Sequence, residues 1–256
     1  MPVNGKFLAF DTSTDVMSIA VTDGVRVWQH TGPGGAQAST TLIPAILALL
    51  AQAGLALGDL QAIAFGRGPG SFTGLRTACA VAQGLAFGAN NGAGVAVLPI
   101  DALMAVADEA LWKSGRSVQS KKEEAPTITA LLDARMDEMY VQRYTCQDGV
   151  LMPQGPCELM RPEHLHAFNT HPDTLYAGNV FDVYAGRLPP GLTSINCLQA
   201  LPTAAALLRL APALAASGHC VAADQALPLY VRDKVAQTTV EREAAKSAKL
   251  AAAAPL

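Results

Sequence analysis

The sequence is poor in charge: only 15% of its 256 residues are Asp, Glu, Lys or Arg, and the formal net charge is −3. The basic footprint of a protein that holds nucleic acid by itself is therefore missing, and any contact with a polyanion is expected to be local or shared. Cysteines are few. Cys79, Cys146, Cys157, Cys197 and Cys220 are odd in number and form no C-x-x-C, so they read as reduced, buried thiols of a cytosolic chain. The opening MPVNGKFLAFDTST lacks a cationic segment followed by a long apolar run, and no secretory signal is expected. The most apolar stretch, Leu42 to Leu57, contains Pro44, Gln52 and Gly54 and falls short of the roughly 18 apolar residues of a spanning helix. A cytoplasmic chain without membrane contact is expected.

Catalytic signatures are equally scarce. His30, His164, His166, His171 and His219 form neither H-E-x-x-H nor a helical i,i+4 pair, so no metal is expected. Ser71 stands in G-S-F, outside the G-x-S-x-G of a nucleophile elbow, with no histidine nearby in sequence. In DARMDEMY the signs of Asp133, Arg135, Asp137 and Glu138 alternate, which reads as a solvated or internally paired edge. A G-x-x-x-x-G-K-[ST] phosphate loop is absent.

What is present is FGRGPGSFTGLR, from Phe65 to Arg76. Gly66, Gly68 and Gly70 recur at every second residue and Gly74 follows four later, so the G-x-G-x-x-G spacing fails. Two readings stay open. The loop opens a helix whose N–H groups can receive an anion, or its glycines allow positive φ and close backbone approach while Ser71 or Thr73 caps the helix. Arg76, a cation in the first turn, opposes the helix dipole and calls for a carboxylate, a phosphate or a partner's acceptor unless it is simply solvated.

Periodicity outlines an α/β chain. KFLAFDTST and VMSIAVTDG predict a strand, a tight turn and an antiparallel strand, with VRVWQHTG a third. TTLIPAILALLAQAG places Leu42, Ile46, Leu49, Leu50 and Ala53 on one helical face, stopped by Gly54. A strand, the glycine loop and a second helix closed by Gly88 and Asn90 follow, then the strand GVAVLPID and the helix ALMAVADEAL. A first lobe over 1–112, completed by about 219–237, a flexible polar connection over 113–127, a second lobe over 128–218 and a frayed or disordered tail over 238–256 are expected. The second lobe opens with the hairpin TITALLDAR/EMYVQRYT and includes the helix TAAALLRLAPALAASG.

Charge is absent altogether between Arg26 and Asp59 and between Arg76 and Asp101, the intervals holding the first two helices. One face of such helices can pack on a sheet. The others must be covered by a partner, or else by segments of the second lobe.

Together FLAFDTST, GRGPGSFTGLR, IDALMAVA, LLDARMDEMYVQRY and ALPLYVRDKVAQ resemble the bacterial TsaB (YeaZ) family, over nearly the whole chain to about Gln237. The resemblance implies an actin-like (ASKHA, ribonuclease H-like) fold of two α/β lobes with mixed sheets flanked by helices. It implies a non-catalytic subunit of the tRNA N6-threonylcarbamoyladenosine complex that dimerises with and supports the TsaD transferase. TsaE would dock on the pair, a YrdC-type enzyme would supply threonylcarbamoyl-adenylate, and tRNA would be met only through the complex; alone, the chain could form a homodimer. The H-x-x-x-H metal motif of TsaD is absent here. With the charge-free helices, the resemblance makes Leu42, Ile46, Leu49, Leu50, Ala53, Phe72, Thr73, Arg76, Ala80, Gln83 and Phe87 the candidate partner contacts. Two departures stand out. Ala38 occupies the place of a family histidine, and Asp11 is followed by Thr12 and Ser13 where active ASKHA enzymes have Asp-x-Gly. Asp11, Thr12, Ser13, Gly68, Gly70 and Ser71 then form a degenerate nucleotide loop with weak or absent ATP binding and no cofactor. The alternative is an ATP-dependent ASKHA phosphotransferase using Asp11, Thr12 and Gly70, or a glycoprotease-like peptidase.

Overall fold

Short apolar runs bounded by turns build two sheets. The computed structural model describes residues 4–115, 126–147, 150–168, 174–190, 192 and 197–232. β1 (Phe7–Asp11) is buried along its whole length, and β2 (Val16–Thr22) returns beside it antiparallel through the polar turn at Thr12–Asp15. β3 (Val27–Pro33), mostly exposed, forms the edge. On the other side β4 (Ala62–Gly68) and β5 (Ala96–Asp101) join in parallel, giving the order β3-β2-β1-β4-β5. Strands apolar on both faces need cover on both faces.

That cover comes from helices far apart in sequence. α1 (Ala38–Ala53) and α2 (Phe72–Gly88) pack on one face, where Leu42, Ile46 and Ala82 meet Leu8, Phe10 and Ile63. Gly54, at φ +67°, ends α1 as its sequence predicts. α3 (Ala102–Lys113) follows β5 directly. The second sheet is formed by β6 (Thr127–Arg135), β7 (Glu138–Gln147), β8 (Val150–Pro153), β9 (Glu158–Met160), β10 (Leu175–Gly178) and β11 (Cys197–Gln199). Its order is β11-β10-β6-β7-β8, with β9 also on β7, and the expected β6–β7 hairpin is present. The short α4 (Val180–Val183) packs beside it. No described helix is long and apolar enough to cross a membrane.

The last helix, α5 (Ala204–Ala216), overturns the expected grouping of 204–216 with the second lobe. Its stripe of Ala204, Leu207, Leu208 and Ala211 packs on Phe7, Ala9, Ala62 and Leu98, the open face of the first sheet. Apolar area decides the neighbour, not chain order. Between α3 and α5 lies a buried ion cluster: Arg209 Nε donates to Asp108 Oδ2 at 2.6 Å and Nη2 to Glu109 Oε2 at 2.8 Å. Burial pushes the Asp108 carboxyl up to about 6, against the pull of Arg209. Residues 219–232 then run back along the first sheet, where Val221 bridges Val97. Most of the expected connection, 116–125, and the whole tail 238–256 lie outside the described residues.

Candidate functional site

The β1–β2 turn, the glycine loop after β4 and the start of α2 form one tightly packed junction. Thr12 Oγ1 donates to Gly74 O at 2.8 Å, and the Ser71 N–H donates to Ser13 O at 2.7 Å. Side chains have no room between these backbones. A Cβ on Gly74 would lie 1.8 Å from Thr12 O, and one on Gly66 1.7 Å from Asp11 Oδ2. The spacing that fits no phosphate-binding fingerprint is thus set by neighbours over fifty residues away in sequence. Ser71 occupies the N-cap position, yet among the described residues neither its hydroxyl nor that of Thr73 makes the expected cap bond; Ser71 is held by its own N–H, which donates to the Ser13 carbonyl.

Of the six residues expected in a degenerate nucleotide loop, Asp11, Thr12, Ser13 and Gly68 are buried, Gly70 is half-buried and Ser71 is exposed. Asp11 Oδ1 accepts from the Ser13 N–H (2.8 Å) and Oγ–H (2.7 Å), whereas Oδ2 is buried without a partner among the described residues. Complete burial pushes its carboxyl up to about 6 despite the two Ser13 hydrogen bonds that oppose the shift. Asp11 therefore faces the junction and not open solvent.

Beside the junction a cleft of about 250 Å³ opens between the two sheets, lined by Ser13, Asp15, Leu75, Asp133, Tyr140 and Tyr230 among others. An ion pair from Arg135 Nη2 to Asp15, at 2.7 Å, spans it. The hairpin tip that supplies Arg135 carries three successive non-glycine residues at positive φ: Arg135, Met136 and Asp137 (63°, 56° and 62°). Such a turn persists where its surroundings hold it. Arg232 Nη2 donates to Glu138 at 2.7 Å and to Ala134 O, Arg187 pairs with Asp137 at 2.8 Å, and Tyr184 Oη donates to Asp133 at 2.7 Å. The alternating charges of DARMDEMY are thus paired inside the chain.

The outer face of α1 and α2 differs from the expected list of partner contacts. Leu42, Ile46, Leu49 and Leu50 are buried by the chain's own sheet, at most 4% exposed, and they belong to the core. Ala53 and Gln83 are half-buried; Phe72, Thr73, Arg76, Ala80 and Phe87 are exposed. Sequence reasoning missed Ile43 and Leu47, 42% and 50% exposed on the outer side of α1. A helix without charge gives no polar face to mark its outside, so the sequence alone points to the stripe with more leucines. The 226–230 segment, part of the stretch 219–237 expected with the first lobe, lies on α2, and its contacts there have no signal in the sequence. Cys79 Sγ and Gln83 Nε2 both donate to Ala226 O at 2.9 Å, and the Leu229 N–H donates to Arg67 O at 2.7 Å. Tyr230 packs on Phe72 with ring centroids 5.3 Å apart.

Comparison with known proteins agrees with this geometry. The family model described as "TsaD: tRNA N6-adenosine threonylcarbamoyltransferase" matches residues 34–238. The tRNA threonylcarbamoyladenosine biosynthesis protein TsaB of Escherichia coli is 30% identical over 236 residues, 90% of this chain and 96% of that protein. Its Haemophilus influenzae counterpart is 30% identical over 241 residues, 91% and 95% of the two chains. Among solved structures, YeaZ from Pseudomonas aeruginosa superposes with a TM-score of 0.76 at 36% identity, covering 89% of this chain and 100% of its own. The two mixed sheets with their flanking helices are the two lobes of an actin-like, ASKHA-type fold. The chain belongs to the family that the TsaD model describes and, within it, to the TsaB (YeaZ) proteins of tRNA threonylcarbamoyladenosine biosynthesis.

Proposed function

We propose that this protein is the non-catalytic subunit of a cytoplasmic tRNA N6-threonylcarbamoyladenosine complex and holds a TsaD-type transferase against the outer face of α1 and α2. One observation carries the reading: Ile43, Leu47, Phe72 and Phe87 are exposed on helices whose only charge is Arg76. Uncharged, apolar and exposed surface of this kind marks a site of association. TsaE and a YrdC-type enzyme act with the pair, and tRNA is met through the complex. Nucleotide and metal belong to the partners, a reading supported by the burial of Asp11 against Gly66 and the filling of the turn by Ser13 and Gly70.

Co-expression with the TsaD homologue of the same organism, followed by light scattering, is expected to give a heterodimer that Ile43→Asp with Leu47→Asp abolishes. A complex unaffected by both substitutions would sink the interface. The cleft beside Ser13 favours a second reading, an ATP-dependent phosphotransferase. Micromolar binding of magnesium-ATP to the isolated chain in calorimetry would put that reading first.

A further inference from the structure

We propose that Arg76 is the specificity-determining contact of the α1/α2 face, a guanidinium held ready for a carboxylate of the partner protein. The inference rests on the proposed association through that face and adds the chemistry the partner must bring. Arg76 stands in the first turn of α2, where the helix dipole disfavours a cation and no acidic residue accompanies it. Its position is nonetheless fixed. The guanidinium carbon lies 3.8 Å from the centroid of the Phe72 ring, and Nε donates to Tyr230 Oη at 3.1 Å. Tyr230 is itself packed on Phe72 and anchored one residue earlier by the Leu229–Arg67 backbone bond. Stacking and a single bond at Nε orient the plane, while Nη1 and Nη2 have no acceptor among the described residues.

The surroundings select the acceptor. Phe72, Ala80 and Phe87 are exposed along the same helix, and neither α1 nor α2 carries another charge. A partner that covers this face removes the guanidinium from water, and a buried charge left unpaired is strongly unfavourable. A planar fork with free donors matches a carboxylate in two-point contact. The apolar neighbours and the net charge of −3 make a nucleic-acid phosphate a poorer match. A second copy is poorer too. Its α1 and α2 offer no carboxylate, Asp224 lies at the far end of α2 beside Gln83 and Phe87, and Asp15 and Asp133 line the cleft between the sheets, with Asp15 held by Arg135 and Asp133 by Tyr184.

The test compares affinities for the purified TsaD homologue of the same organism. Arg76→Ala is expected to weaken binding at least tenfold with an unchanged melting temperature of the isolated chain. Arg76→Lys, which keeps the charge and loses the fork, is expected to recover only part of the affinity, and Tyr230→Phe to weaken binding a few-fold. A double-mutant cycle with single Asp→Ala and Glu→Ala substitutions of the partner is expected to find one carboxylate coupled to Arg76. Wild-type affinity in Arg76→Ala, with Leu47→Asp still disruptive, overturns the inference and leaves the association standing. If neither substitution matters, the association falls as well. Loss confined to salt-dependent tRNA binding, or to a homodimer of the isolated chain, assigns Arg76 to a phosphate or to a second copy and equally overturns the inference.

Discussion

Two helix pairs treat charge in opposite ways. α1 and α2, on the outside of the first sheet, carry one charged residue between them and leave Ile43, Leu47 and Phe87 in solvent. α3 and α5, which pack on each other between the sheets, bury Asp108 and Glu109 beside the half-buried Arg209 that pairs with both. Buried charge here marks an interior whose partners all lie in the same chain. Missing charge, on the function proposed above, marks a surface whose complement lies in another. The difference separates stability from association: substitutions in the inner pair should cost fold stability, and substitutions on the outer side of the outer pair should cost binding.

The largest effect is expected from Arg209→Ala, which leaves buried Asp108 without its cation in the α3–α5 contact while Glu109 keeps Lys113 and Thr203. Urea denaturation at pH 7 is expected to show a loss of about 3–5 kcal/mol; a loss below about 1 kcal/mol would mean that water reaches the cluster. Next, the two sides of α1 can be set against each other. Ile46→Ala opens a cavity under the helix and is expected to cost about 2–5 kcal/mol, whereas Leu47→Ala, one residue on, is expected to stay within about 0.5 kcal/mol. Equal costs would erase the inside–outside distinction drawn along this helix.

A smaller effect concerns Asp11. Its folded-state carboxyl titrates at about 6, above its unfolded value of 3.8. The protonated form is thus the one the fold prefers, and its contribution is complete below pH 3.8 and disappears as pH rises through 6. Asp11→Asn, permanently neutral, is expected to gain on the wild type between pH 4 and pH 8 by up to about 3 kcal/mol, read as the difference between the two unfolding free energies. A pH-independent difference would show that the carboxyl is solvated.

Local features were legible in the sequence where neighbours along the chain determine them. The β1–β2 and β6–β7 hairpins and the Gly54 stop of α1 follow from alternation and turn chemistry within a few residues. The identity of the family rested on several motifs spread over the chain, and the actin-like fold came with it. What escaped depends on distant pairings. The glycine loop is shaped by Thr12 and Ser13, α5 joins a sheet formed two hundred residues earlier, and Tyr230 reaches Arg76 from an irregular segment with no periodicity to betray it. The inner and outer sides of α1 were exchanged because both are apolar, and only the position of the sheet tells them apart.

The return of α5 to the first sheet has a consequence for synthesis. Phe7, Ala9, Ala62 and Leu98 are made early, yet the helix that covers them begins at Ala204, and the bridge to Val97 waits for Val221. During translation the first lobe therefore stands with one apolar face bare until most of the chain has left the ribosome, and long-range closure of this kind is slow and exposed to aggregation. The exposed Ile43, Leu47 and Phe87 of α1 and α2 are made early, yet Tyr230, which fixes Arg76 on the same face, is among the last residues to arrive, so that face too is complete only when the molecule has closed on itself.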